Sequence, residues 1–212
     1  MADMANNDFG HCSAAPAAVL AGTDLTGLWL DIDGDPEFDD EDAKAWAASF
    51  VESPPSDSLI ASIEAEFGLR LPDAYVALAR QRNGGLLGRN LHFFGSTDPV
   101  TNSSFVVRIG ALYPIGRVAD HALLGPVTSR YQFGPWRFRD IGICIASSEI
   151  THDEQVVLDY RQCGPNGEPA VVLVQECWVS AECSEQEVHF MANSFADFVQ
   201  GLFADDPGLD AI

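Results

Sequence analysis

Residues Asp140 to Val174 read DIGICIASSEITHDEQVVLDYRQCGPNGEPAVVLV. Three short runs rich in Ile, Val and Leu stand out: residues 141–147, 155–161 and 170–176, the last running just past the quoted stretch. Their length, β-branched content and bounding turn residues predict strands. The link QCGPNGEP, Gln162 to Pro169, holds two Gly and two Pro and reads as a hairpin connection between the second and third runs. Upstream, FVVRIGALYPIG (105–116) has the same character, and downstream so does VHFMA (188–192). The chain ahead of this β-rich part is helical in pattern. SDSLIASIEAEFGLRLP places Leu59, Ile60, Ile63 and Phe67 at helical spacing, with Ser56 to Ser58 as caps and Gly68 as the stop. LPDAYVALARQRNGG gives a second helix with Pro72 in its first turn and Tyr75, Leu78 and Ala79 on one face; Asn83, Gly84 and Gly85 end it. DEDAKAWAASFV predicts a shorter helix capped by Asp39 or Asp40, with Trp46, Phe50 and Val51 on one face. LTGLWLDI (25–32) reads as a strand. NSFADFVQGLFADD closes the chain with an amphipathic helix capped at Ser194. The order of helices, then strands, then a helix predicts an α+β fold, a mostly antiparallel sheet with helices packed on one face and a C-terminal helix. One domain over 23–205 is expected between a loose arm (1–22) and a tail (206–212).

Composition sets the classes to consider. The chain has 212 residues, 47% of them hydrophobic, with thirteen Phe and four Trp, enough for a real core. Its start has no positive n-region, and its five cysteines are scattered, so a reducing cytoplasm is expected. Eleven Lys plus Arg oppose 32 Asp plus Glu for a net charge of −21, and Lys44 is the single lysine. Residues 70–139 hold nine Arg and three acids, a balance of +6, which leaves −27 for the rest. Such a chain repels nucleic acid and anionic lipid and attracts basic proteins.

The charge peaks between Asp31 and Asp42, where eight carboxylates fall in twelve residues. Asp31, Asp33, Asp35, Glu37, Asp39 and Asp42 occupy the ligand positions of an EF-hand count. However, Pro36 sits where the sharp turn needs Gly, and Asp42 replaces the longer bidentate Glu. Calcium chemistry is therefore not expected. Cys177, Cys183 and His189 lack zinc-finger spacing, and no Cys-x-x-Cys occurs. Cys144 reads as a small buried hydrophobe. There is no Gly-x-Ser-x-Gly elbow and no phosphate loop. His152 and Asp153 lie beside Ser147 and Ser148, but neighbours on one loop rarely supply a triad's separated geometry. Asp159, inside an apolar run, calls for an ion pair to Arg161 or a middle-segment Arg, or else a sheet-edge contact. Trp29, Trp46, Trp136 and Trp178 are expected in core or satellite packing rather than in a recognition patch. The acidic stretch has two readings, a solvated turn leading into a helix and a surface for a basic partner.

Four stretches resemble the SMI1/KNR4 (SUKH) superfamily. IEAEFGLRLPDAYVALARQRNGG (63–85) is similar to its helix, Gly, Leu-Pro, Tyr, helix, Asn-Gly-Gly signature. The opening stretch, 140–174, is similar to the core strands of a longer subfamily, with His-Asp, Leu-Asp-Tyr-Arg, Cys-Gly-Pro and Gly-Glu-Pro elements. MANSFADFVQGL (191–202) resembles the closing helix, and LTGLWLDIDGD (25–35) an N-terminal strand and acidic turn. SSEIT (147–151) departs from the Ser-Ala-Gly type of turn expected before His152. The resemblance implies an immunity protein without enzymatic activity or cofactor, which binds a cognate polymorphic toxin stoichiometrically. A basic toxin, such as one that acts on nucleic acid, would suit the charge. The candidate partner-binding residues are Asp31, Asp33, Asp35, Glu37, Asp39, Asp40, Glu41, Asp42, His152 and Asp153. A non-enzymatic scaffold or regulatory protein of the same fold is the alternative.

Overall fold

The computed structural model describes residues 20, 23–33, 35–95, 104–133, 138–148, 154–180 and 183–204. The expected arm and tail lie outside them, apart from Leu20, which is buried in the core. Local signals set the helices. α1 (Glu41–Ala48) begins where Asp40 Oδ1 accepts the Ala43 N–H at 2.7 Å. α2 (Asp57–Phe67) begins under Ser56, whose Oγ accepts the Leu59 N–H at 3.2 Å. It ends at Gly68, held at φ +69°, a conformation that costs a side chain about 1–2 kcal/mol. α3 (Asp73–Gln81) follows Pro72, and the Glu64 carboxylate braces the α2–α3 corner by accepting the Leu71 N–H at 2.9 Å.

Seven strands form an antiparallel sheet: β1 (Gly85–Leu86), β2 (Leu91–Gly95), β3 (Ser104–Leu112), β4 (Gly142–Ser148), β5 (Glu154–Asp159), β6 (Ala170–Ser180) and β7 (Cys183–Ala192). The order is β1-β3-β4-β5-β6-β7, with β2 also on β3. β2 comes back near β7, so the sheet curls. The hairpin link expected at 162–169 joins β5 to β6, with Val156 opposite Leu173 and Leu158 opposite Val171. Residues 142–146, 155–159 and 171–174 are all buried, on both faces of the central strands. Alternation inside this region therefore carries no inside–outside signal, which is why its runs read as continuous apolar segments. α5 (Phe195–Gly201), capped by Ser194, packs on α3 through Tyr75 and Phe195, with ring centroids 4.8 Å apart.

Two strands and one α-helix among the described residues escape the sequence reading, β1, β2 and the short α4 (Thr128–Phe133), as do the 3-10 turns at Pro36–Phe38 and Phe138–Asp140. α4 supplies a substitute strand partner. Where β3 has ended, the Gln132 amide donates to Cys144 O at 2.9 Å and accepts the Cys144 N–H at 3.2 Å. The strand expected at 25–32 is not formed; one bridge, Trp29 to Leu87, remains of it. Side-chain turns cut it short at both ends, since Asp24 Oδ1 accepts the Thr26 N–H and Asp31 Oδ1 accepts the Asp33 N–H. Its partner β1 is also only two residues long.

Candidate functional site

The acidic segment is fixed by its own carboxylates and by one apolar anchor. Asp35 Oδ1 accepts the Glu37 N–H at 2.9 Å and caps a 3-10 turn, Pro36–Phe38, whose Phe38 ring is buried. Asp31 closes one turn and Asp40 caps α1. Three of the eight carboxylates thus point an oxygen at backbone N–H groups, which is the local reason acids suit these positions. Asp33, Glu37, Asp39, Glu41 and Asp42 are exposed, as are Asp31 and Asp40, while Asp35 is half-buried. Among the described residues one cation meets this charge: Lys44 Nζ lies 3.6 Å from Glu41 and donates to Asp39 O at 3.4 Å.

The arginine surplus of the middle segment is engaged elsewhere. Arg80 pairs with Asp57 at 2.5 Å and Arg117 with Glu66 at 2.7 Å, both on α2, and Arg70 pairs with Asp73 at 2.9 Å. These bridges engage three of the arginines with acids outside the 31–42 segment. No group of three or more His, Cys, Asp or Glu among the described residues could hold an ion.

α1 presents more than charge. Trp46 is 51% exposed and Val51 40% exposed, whereas Ala47 and Phe50 are buried. Of the two placements expected for Trp46, core or satellite, the core one does not hold: Ala47 and, just past the helix, Phe50 turn inward, and the indole meets Phe50 edge-on from the surface, at 5.2 Å. Trp29 is half-buried under the Arg82 guanidinium, 5.0 Å from the ring. Trp136, and the side chain of Trp178, lie outside the described residues. The C-terminal end of α1 is braced by Ser49, whose hydroxyl donates to Trp46 O at 2.6 Å, and by His121, 3.0 Å from that hydroxyl and stacked on Phe50. With its proton already on Trp46 O, Ser49 has none for the imidazole to take, so this serine–histidine contact is a brace rather than a nucleophile and base.

His152 and Asp153 also lie outside the described residues, between β4 and β5. Asp159 has the ion-pair role. Arg161 donates from Nε to Oδ1 at 2.9 Å and from Nη2 to Oδ2 at 2.7 Å. Cys144 is fully buried and desolvation pushes its thiol pKa far up, so it packs as a small apolar group. The exposure of Trp46 and Val51 is the surface feature that the sequence reading missed. Their signal lay in the pattern of α1, where Ala47 and Phe50 already define an inward face that excludes them.

The family model for the SMI1 / KNR4 family (SUKH-1) matches residues 54–201, from just before α2 through α5. The acidic segment and α1 precede the match. No curated protein and no solved structure matches the chain.

Proposed function

The chain belongs to the SMI1/KNR4 family (SUKH-1), and on that premise we propose that it is an immunity protein. It neutralises a basic toxin by binding it one to one and covering its active face, with no turnover and no cofactor. The observation that carries this reading is the run of eight carboxylates, seven of them exposed, beside a half-exposed Trp46, with Lys44 the one lysine to offset it. Toxins that act on nucleic acid need a positive cleft, and an anionic surface can occupy it in the substrate's place. The same field steers encounter, raising association rates by about ten- to a thousandfold at low salt. Tryptophan is a favoured anchor at the centre of such interfaces. His152 and Asp153 are proposed as further contacts.

Co-expression against a panel of toxin domains, followed by association kinetics, tests the reading. Rescue from one basic toxin is expected, with an association rate that falls steeply with salt. Changing Asp33→Asn, Glu37→Gln, Asp39→Asn and Asp42→Asn together removes charge while keeping Asp31, Asp35 and Asp40 as caps. That variant should associate at least about tenfold more slowly at low salt. If no toxin is rescued, the immunity role is wrong; if the rate is unmoved, the acidic segment is not the docking face.

A further inference from the structure

Between α1 and residues 30–32 runs a groove of about 90 Å³. One side is lined by Lys44, Ala47 and Ala48 of α1, neighbours on one face of the helix, and by Val51 just beyond its end. The opposite wall is Leu30 and Ile32, and Leu86 of β1 contributes the buried floor. The wall is pinned by the Leu30 N–H donating to Leu86 O at 3.0 Å and by the Trp29–Leu87 bridge. Two alanines where larger residues would fill the space keep the groove open.

We propose that this groove is the anchor socket of the docking surface, taking one apolar side chain carried on a basic segment of the partner. This rests on the reading of the acidic segment as the partner-facing surface. The sign of the surrounding charge selects the occupant. Leu30 and Ile32 adjoin the acidic run in the chain, and that run continues into α1, while the charged residues that line the groove itself are two cations, Lys44 and Arg82. Both cations have counterparts on this chain, Lys44 at Glu41 and Asp39 O, Arg82 over the Trp29 ring. An apolar centre inside a charged rim is the usual anatomy of a protein interface. The rim governs how fast partners meet, and the filled socket governs how long they stay.

Two short lysine–arginine peptides test this, one with a single central leucine and its twin with glycine there. The leucine peptide should bind about tenfold tighter, given the apolar area such a socket can cover. Its binding should shift the NMR methyl signals of Ile32, Ala47, Val51 and Leu86. Ala48→Trp, which fills the groove from an exposed helix position, should lower the leucine peptide to the affinity of the glycine peptide, and Val51→Ser should narrow the gap several-fold. Helical circular dichroism checks that each variant is folded. If both peptides bind the parent protein equally, the socket is refuted while the acidic surface stands. If neither binds, the acidic docking face falls and the socket with it. A leucine preference that survives both substitutions, or octanoate shifting the same methyl signals while the leucine peptide does not, overturns the assignment in favour of another site or a small amphiphilic acid.

Discussion

At the residue scale, the polar groups inside the core differ in how far away their partners lie. Asp159 and Arg161 are two positions apart, and their pairing was readable from the sequence because an acid among apolar strand residues needs a nearby cation. Asp159 is 7% exposed but the Arg161 side chain is 45% exposed, so solvent screens the pair. Arg161→Ala should therefore cost about 1–2 kcal/mol in urea unfolding. Asn83 is a different case. It is buried at 1% exposure, donates to Ser53 O at 2.9 Å and Ile115 O at 3.1 Å, and accepts the Ile115 N–H at 2.8 Å. The sequence marked Asn83 only as a helix stop, because its partners lie about thirty residues away on either side. Asn83→Ala strands those groups and should cost roughly 2–3 kcal/mol by the same measurement. His92 carries a pH dependence. Burial lowers its pKa from 6.5, against the raising effect of backbone hydrogen bonds at Phe93 and Phe198, and its ring stacks on Phe198 of α5. The unfolded chain then binds the proton more readily than the folded one. The stability from neutral His92 is complete above pH 6.5 and is lost as pH falls below it toward the depressed folded value. Melting temperatures from pH 7.5 down to about 5 should fall more steeply for the parent than for His92→Phe.

At the scale of elements, two glycines with left-handed backbone separate what a turn needs from what a close approach needs. Gly68, at φ +69°, ends α2 with open space where a side chain would go. Gly84, at φ +81°, lies in the turn beyond α3, with the Phe50 carbonyl and the Pro114 ring already inside that space. Gly68→Ala should cost about 1 kcal/mol, the backbone strain alone. Gly84→Ala should cost clearly more, about 3 kcal/mol or above, because backbone must also move. Equal unfolding midpoints for the two variants would contradict the packing around Gly84. Both positions were legible as stops, and only the fold shows that they differ. The segment at 25–32 shows the reverse failure. Its Leu, Trp and Ile content suited a strand, but a strand needs a partner of matching length and β1 supplies two residues.

For the molecule as a whole, charge and curvature set the behaviour. A net charge of −21 makes the folded state repel itself, most strongly around the acid-rich 31–42 segment. Raising salt from about 0.01 to 1 M shortens the Debye length from about 30 to about 3 Å. The melting temperature should rise by several degrees over that range. The variant neutralised at Asp33, Glu37, Asp39 and Asp42 should start higher and rise less. A parent melting temperature that is flat or falling with salt would show that the repulsion is not felt in the folded state. The curl of the sheet, which brings β2 toward β7, places α5 so that Phe198 meets His92 and the Phe203 beyond it meets Phe93. The chain's closing helix thus seals the seam between the first and last parts of the sheet.

Periodicity, capping residues and turn chemistry act within a few positions, so the sequence alone determined α1, α2, α3 and α5, the Gly68 stop and the Ser194 cap, the β5–β6 hairpin and the α+β class. It narrowed the caps of α1 and α2 to Asp40 and Ser56 or their neighbours. The tertiary structure decided what depends on distant partners. It set the two-residue β1 that leaves 25–32 unpaired, Asn83 joining residues 53 and 115, the engagement of the arginines on α2, and the outward turn of Trp46 beside an open groove. Those features arise where segments tens of residues apart compete for the same core, and a local pattern carries no record of which of them is displaced.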